Sequence, residues 1–202
     1  MDLHSIPPRT GPAQVLAISG SLRAASSNTR LLQLAIALAP SDMAIPLFPG
    51  LGELPHFNPD LDDDTHRPAP VRALRAAVAT ADALLISSPE YAHGVPGTLK
   101  NALDWLVSGP EFPAILIGLL SPSPHATHAT ASLKETLTTM SAELLPSASV
   151  TVCLAGHPTN IPELLTDPVV TSPVRLALAE LAREIARARK EHRRLVAPPA
   201  DG

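Results

Sequence analysis

The sequence predicts a three-layer α/β fold in which a doubly wound, five-stranded parallel sheet carries helices on both faces. Three observations point to it. Short apolar runs without polar alternation recur along the chain, and strands of that kind need cover on both faces. Longer segments with helical spacing separate these runs, so strand and helix alternate. The 23 prolines and 10 glycines mark the boundaries between segments and act as punctuation.

The first run, Gln14 to Ser19, is too short for a helix and stops at Gly20, which makes it a buried strand. A cluster of Ser, Asn and Thr then supplies N-cap residues for a helix from about Asn28 to Ala39, ended by Pro40. Strand two, Met43 to Phe48, is interrupted by Pro46, as suits a sheet edge. Residues 50–67 hold no period and carry Asp60, Asp62, Asp63 and Asp64, the pattern of a solvated loop. Pro68 and Pro70 pre-set a second helix with Val71, Leu74, Val78 and Ala81 on one face, and Ala83 to Ser88 is strand three. Behind Pro96 and Gly97 a third helix carries the stripe Leu99, Ala102, Leu103, Leu106 and Val107, closed by Gly109 and Pro110. Pro113 to Leu120 is strand four, a fourth helix carries Leu133, Leu137, Met140 and Leu144, and Ala148 to Leu154 is strand five. A last helix runs from about Pro173 to Val196. Five strands in this alternation fit the flavodoxin-like order 2-1-3-4-5, because the other common doubly wound order needs a sixth.

Composition narrows the function. The 202 residues suit one domain over residues 14–196, with flexible segments at 1–13 and 197–202. An apolar share of 45% against 17% charged provides a core and excludes a disordered body. A net charge of −4, with only one Trp, one Tyr and three Phe, argues against a nucleic-acid surface and against base stacking. The longest apolar run, Ala114 to Leu120, falls far short of the about 20 residues that span a membrane, and no signal peptide is expected. Cys153, the single cysteine, forms no internal disulfide, fits the cytoplasm and reads as a small core residue. No metal site is expected. His125 and His128 lack a third ligand, and the aspartate cluster lacks the Glu and central Gly of a calcium loop. The seven cations of the final helix, among them Arg183, Arg187 and Arg189, read as a solvated face with Glu180, Glu184 and Glu191 as partners.

In an open parallel sheet, ligands gather beyond the carboxyl ends of the strands where the strand order reverses, here in the loops after strands one, three and four. The first of these, Gly20 to Arg30, offers Ser21, Ser26, Ser27, Asn28 and Thr29, the cation Arg23 and a helix N-terminus. Such a loop fits a phosphate monoester, or else an ordinary serine-rich helix cap. No G-x-G-x-x-G or Walker A pattern is present, which favours a mononucleotide phosphate over a pyrophosphate. The second loop, opening at Ser87, holds Pro89, Gly94, Pro96 and Gly97, which restrict the backbone and leave amides able to face a flat ligand.

Together, GSLRAASSN (Gly20 to Asn28) and PEYAHGVPGTLKNALDW (Pro89 to Trp105) resemble the NADPH-dependent FMN reductase family, whose members include quinone, azo-dye and chromate reductases. LPHFNPDLD (Leu54 to Asp62) and ADALLIS (Ala81 to Ser87) are similar to the same family, so the likeness runs from about Gln14 to Val152. The resemblance implies FMN as cofactor, NADPH or NADH as hydride donor, a quinone-like, azo or similar small acceptor, and a homodimer or homotetramer. It assigns Ser21, Arg23, Ser26 and Asn28, with Thr29, to the FMN phosphate. It assigns Pro89, Glu90, Tyr91, Ala92, His93 and Gly94 to the flavin ring, mainly through backbone groups, with Ser121 from the fourth-strand loop. Position 92 is Ala where the family frequently has Asn. Fixed amides stabilise negative charge on a reduced ring without a side-chain acid, so no catalytic triad is required. His93 is the candidate for touching substrate or making an orienting hydrogen bond, and Glu90 reads as a brace of its loop or a partner across a subunit contact. With only Tyr91 nearby to cover a ring, an open flavin face favours a reductase over a flavodoxin-type carrier, and a non-catalytic flavin-binding module is the remaining alternative. Trp105 falls on the polar side of the third helix, and an exposed ring there predicts that this helix lies in a dimer contact.

Overall fold

The apolar runs assemble into a single parallel sheet. In the computed structural model, which describes residues 11–196, its strands are β1 (Ala13–Ser19), β2 (Met43–Ala44), β3 (Ala83–Ser87), β4 (Leu116–Ser121), β5 (Glu143–Leu144) and β6 (Val150–Thr151). They follow the order β2-β1-β3-β4-β5, with β6 also paired to β4. The helices are α1 (Ser27–Ala37), α2 (Ala69–Thr80), α3 (Gly97–Asp104), α4 (Thr127–Thr139), α5 (Ile161–Leu164) and α6 (Pro168–Val196). Residues 1–10 and 197–202, which hold most of the two segments expected to be flexible, lie outside the described residues.

Period-two side-chain alternation divides the core into two layers. Val15, Ala17, Ala83 and Leu85 point toward α1 and α6 with Leu31, Leu34, Leu178 and Leu181. Leu16, Ile18, Leu84 and Ile86 point toward α2, α3 and α4 with Leu74, Leu99, Leu103 and Leu133. Every side chain of β3 is buried, which is why its sequence shows no polar alternation.

The sheet has six strands rather than five because a short strand, β5, forms where the fourth helix was expected to end, ahead of the expected fifth strand, which pairs only at Val150 and Thr151. Helix α4 stops early. Ala142 N–H donates to Leu137 C=O and Ser141 sits at φ +63°, a left-handed C-terminal stop made without glycine. Leu144, expected to close the fourth helix, is therefore in β5, opposite Ile117. A 3-10 turn at Pro146–Ala148 then interrupts the edge, and pairing resumes only at Val150 and Thr151. Across the gap, the Ser149 hydroxyl accepts from Leu119 N–H at 3.0 Å and donates to Leu145 C=O at 2.8 Å, satisfying a ladder amide that would otherwise be orphaned. Gly118 is required beneath the turn, since a Cβ there would lie 2.7 Å from the Ala148 carbonyl oxygen. Past this open edge only one face is covered, so Val152 and Leu154 are buried while Cys153 is exposed, contrary to its reading as a core residue.

Other boundaries move for local reasons. Strand two pairs only at Met43 and Ala44, with one further bridge from Ala17 to Leu47 beyond Pro46. The last helix begins at Pro168, where the Asp167 carboxylate accepts from Val169 N–H at 2.9 Å, and Pro173 lies inside it. Helix α3 ends at Asp104, leaving Val107 63% exposed.

Three polar readings are corrected as well. Trp105 is fully buried, because residues 54–58 fold over the side of α3 that was expected to face a partner. Its Nε1 donates to Pro55 C=O at 2.8 Å, and its ring meets Phe57 edge-on with centroids 5.0 Å apart. Asn101 fastens the same loop, donating from Nδ2 to Pro55 C=O and accepting from Phe57 N–H. Asp62 is not a solvated aspartate: its side chain is 6% exposed and receives Arg67, Arg75 and Ser108. Burial alone would raise its carboxyl pKa, but the Ser108 and Arg67 hydrogen bonds and the two guanidinium charges outweigh that and hold it below the ordinary range. Arg189, expected on a solvated face, lies against Asp82 at 2.6 Å and donates to the carbonyls of Gly11 and Pro12.

Candidate functional site

Each strand that ends at the carboxyl rim delivers one loop to it. Strand β1 leads into residues 20–26, β3 into residues 88–96 and β4 into residues 122–126. The first two loops touch. Gly20 N–H donates to Ser87 C=O at 2.8 Å, and a Cβ on Gly20 would lie 3.1 Å from both the Ser88 hydroxyl and Leu99. This close approach is the reason for glycine at the turn.

The first loop is held by its own side chains. Ser26 caps α1, accepting from Thr29 N–H at 3.3 Å, and the Ser21 hydroxyl accepts from Arg23 N–H at 3.3 Å. Thr29 and Ser19 share a hydrogen bond of 2.7 Å between hydroxyls. Asn28 is buried, and its carbonyl oxygen accepts from the Ser87 hydroxyl at 2.9 Å, bolting α1 to the end of β3. Thr29 and the oxygen of Asn28 thus act as struts, which the sequence reading did not anticipate. What the loop presents outward are donors. The first-turn amides of Ser27 and Asn28 have no acceptor within the helix, and the Arg23 guanidinium is exposed with no partner among the described residues. Ser21, Arg23, Ser26 and Asn28 therefore meet at one helix N-terminus, a setting suited to an anion.

The second loop is built differently. Tyr91 N–H donates to Gly94 C=O at 3.1 Å and Gly94 N–H returns a bond to Tyr91 C=O at 2.9 Å. Between them, Ala92 at φ +49° and His93 at φ +61° form a turn with both central residues left-handed. Asn tolerates this conformation better than Ala, so position 92 carries backbone strain as well as a missing amide. Glu90 reaches out of the loop to accept from Ala129 N–H at 2.9 Å, in the first turn of α4, a helix with no side-chain cap of its own. It braces the loop, one of the two roles anticipated for it, and places a carboxylate at the positive end of the helix. The His93 ring stacks on His128 of α4 with centroids 4.2 Å apart and an interplanar angle of 18°. Sequence reasoning paired His128 with His125 and missed this contact, because only the fold brings residues 93 and 128 together. Pro89 accepts from the Ser88 hydroxyl at 3.1 Å, and Tyr91 is 57% exposed. At the third loop, the Ser121 hydroxyl donates to Ser123 C=O at 2.7 Å and fixes the turn into α4.

Among the described residues, no three His, Cys, Asp or Glu side chains gather closely enough to hold a metal, and no helix is long and apolar enough to cross a membrane.

Comparison with known proteins places this geometry. Residues 13–156 match the model of the NADPH-dependent FMN reductase family. An NAD(P)H-dependent FMN reductase of Pseudomonas aeruginosa is 36% identical over 157 residues, covering 75% of this chain and 76% of that protein. A quinone reductase of Escherichia coli is 37% identical over 100 residues, covering 50% of this chain and 53% of the relative, so the chain spans about half the length of that protein. Among solved structures, the flavoenzyme NAD(P)H:(acceptor) oxidoreductase FerB of Paracoccus denitrificans superposes with a TM-score of 0.61 at 24% identity, covering 89% of this chain and 94% of that one. At that identity the likeness is one of fold. With the sheet order, the two rim loops and a family match spanning the strands that carry them, the chain belongs to the NADPH-dependent FMN reductase family.

Proposed function

We propose that the protein is an FMN-dependent NAD(P)H oxidoreductase that delivers electrons to a quinone, an azo compound or a similar small acceptor. The observation that supports it most is the junction of two loops at one rim: an open set of donors after β1 lies against an amide-rich turn after β3, joined through Ser87. The residues present fit the cofactor. Ser21, Ser26, the first-turn amides of Ser27 and Asn28, and Arg23 would hold the phosphate, with Thr29 and the Asn28 oxygen keeping the cradle in shape. The backbone of Pro89 to Gly94 would line the ring, with Ser121 at its far side. When bound, FMN supplies a ring that takes a hydride from NADPH or NADH and passes electrons to the acceptor. The chain's own task is then to fix amides against one edge of that ring and to leave its outer face open. His93, anchored by its stack on His128, is the side chain we assign to acceptor contact.

We further propose a homodimer or homotetramer in the cytoplasm. With Trp105 buried, the support for assembly is the exposure of Leu22, Tyr91 and Val107, and the relatives named above are reductases of the same family. Cys153, the exposed lone thiol, suits a reducing compartment.

The test is flavin content and turnover. The purified chain is expected to bind FMN and to oxidise NADPH when benzoquinone is added. Arg23→Ala is expected to weaken FMN binding by about tenfold or more, through loss of a charge-assisted contact. A chain that cannot be reconstituted with FMN, or an Arg23→Ala variant with parental affinity, would sink the reading. Sedimentation as a monomer at micromolar concentration would remove the assembly.

A further inference from the structure

One cation beside the rim is left unused by the fold. Arg30 follows the N-cap Ser26 by four residues, and its N–H donates to the Ser26 carbonyl at 2.9 Å, so the two stand one helical turn apart on the same edge of α1. Side chains on a helix lean toward its N-terminus, which carries the guanidinium back over the turn that holds Ser26 and Ser27. Nothing there satisfies it. The Arg30 Nε is shut off from water without a hydrogen-bond partner, the one buried side-chain nitrogen or oxygen left in that state among the described residues. The guanidinium joins no ion pair among the described residues, and the first turn of α1 holds no acid. Two penalties therefore fall on one side chain. A buried donor without an acceptor forfeits its hydration, and a positive charge at the positive end of a helix is repelled. A bound anion removes both.

We infer that Arg30 is a second cation of the phosphate cradle and sets its preference for a phosphorylated flavin over the same ring without phosphate. This rests on the reading of the rim as an FMN site. A phosphate monoester carries about −1.5 to −2 charges at neutral pH, against about +0.5 from the helix end and one charge from Arg23, so a second guanidinium completes the balance. The two arginines divide the task. Arg23 is exposed on the loop and is ordered by its guest, whereas Arg30 is part-buried on a helix and is held in place beforehand.

Fluorescence titration of the flavin-free full chain with FMN and with riboflavin tests it, together with melting of that chain with and without millimolar inorganic phosphate. Arg30→Gln is expected to weaken FMN by about tenfold, the scale of a charge-assisted hydrogen bond, and to leave riboflavin unchanged. A merely structural role would weaken both flavins alike. The same substitution is expected to raise the melting temperature of the flavin-free chain by about 1–4 °C, because a repelled cation is gone, and to abolish protection by phosphate. Arg30→Lys, which keeps the charge and loses Nε, is expected to fall between parent and Arg30→Gln in FMN affinity. The inference is overturned if Arg30→Gln binds FMN as the parent does or weakens FMN and riboflavin equally. It is also overturned if the variant melts lower and dissociates an oligomer that the parent forms, which would assign the guanidinium to an acid of a second copy. If the parent binds no FMN, the flavin reading fails, and phosphate protection lost in Arg30→Gln still carries the anion site; absence of both overturns the two together.

Discussion

The two loops that meet at the rim reach a fixed shape by opposite means. After β1, short hydroxyl and amide side chains bond to residues at most ten positions away, except for the Asn28 bridge to β3, and the backbone stays unstrained. After β3, the turn takes two left-handed residues and draws its support from another helix, through Glu90 on Ala129 and His93 on His128. A loop that must present donors cannot use them internally, so it is braced from behind by side chains. A loop that must hold its backbone against a ligand can accept strain, provided something distant over-determines it.

Substitutions can break this contrast. Asn28→Ala removes the acceptor for a fully buried Ser87 hydroxyl and is expected to cost about 1–3 kcal/mol in urea unfolding, the penalty for an unsatisfied buried group. If the bridge is the linkage that matters, Asn28→Ala with Ser87→Ala recovers much of that loss. Glu90→Ala uncaps α4 from a distance and is expected to cost about 1 kcal/mol, with faster amide exchange at the start of α4 than at its end. Ala92→Gly has the opposite sign. Relief of a left-handed Ala is expected to stabilise the chain by up to about 1 kcal/mol, whereas glycine substitution at Ala24 or Ala25 in the first loop gives no gain.

A control outside both loops sharpens the comparison through pH. Asp62 has a folded pKa below its unfolded value of about 3.9, so its stabilisation is complete above that value and is lost as pH falls through the folded one. Asp62→Asn should therefore flatten the fall in stability below about pH 4, measured by denaturant midpoints, and leave the loops unaffected at neutral pH.

The strand–helix alternation and the rim loops were legible in the sequence because they depend on local pattern: β1, β3 and β4 are apolar runs bounded by turn residues. The errors came where a distant residue decides. Trp105 looked exposed from helical phase, but the loop carrying Pro55 and Phe57 lies about fifty positions away in sequence and its cover cannot be read from periodicity. Arg189 looked solvated for the same reason, its partner Asp82 lying 107 positions away, and the cover over Asp62 includes Ser108, 46 positions away. Leu144 was misplaced because Ser141 ends α4 in a conformation usually announced by glycine. At the candidate site the residue types were readable, while the division between donors that face outward and struts that face inward required coordinates.

The clasp between Asp82 and Arg189 has a consequence for how the molecule is made. Arg189 stands 107 residues downstream of its partner, and the same guanidinium holds the carbonyls of Gly11 and Pro12. On a ribosome the amino ends of β1 and β3 therefore emerge long before the side chain that fastens them. Until α6 packs back, β1 and β3 are held together by backbone pairing, the Asn28–Ser87 bridge and the bond from Gln14 N–H to the Asp82 carboxylate, and Arg189 then ties residues 11, 12 and 82 to the last helix.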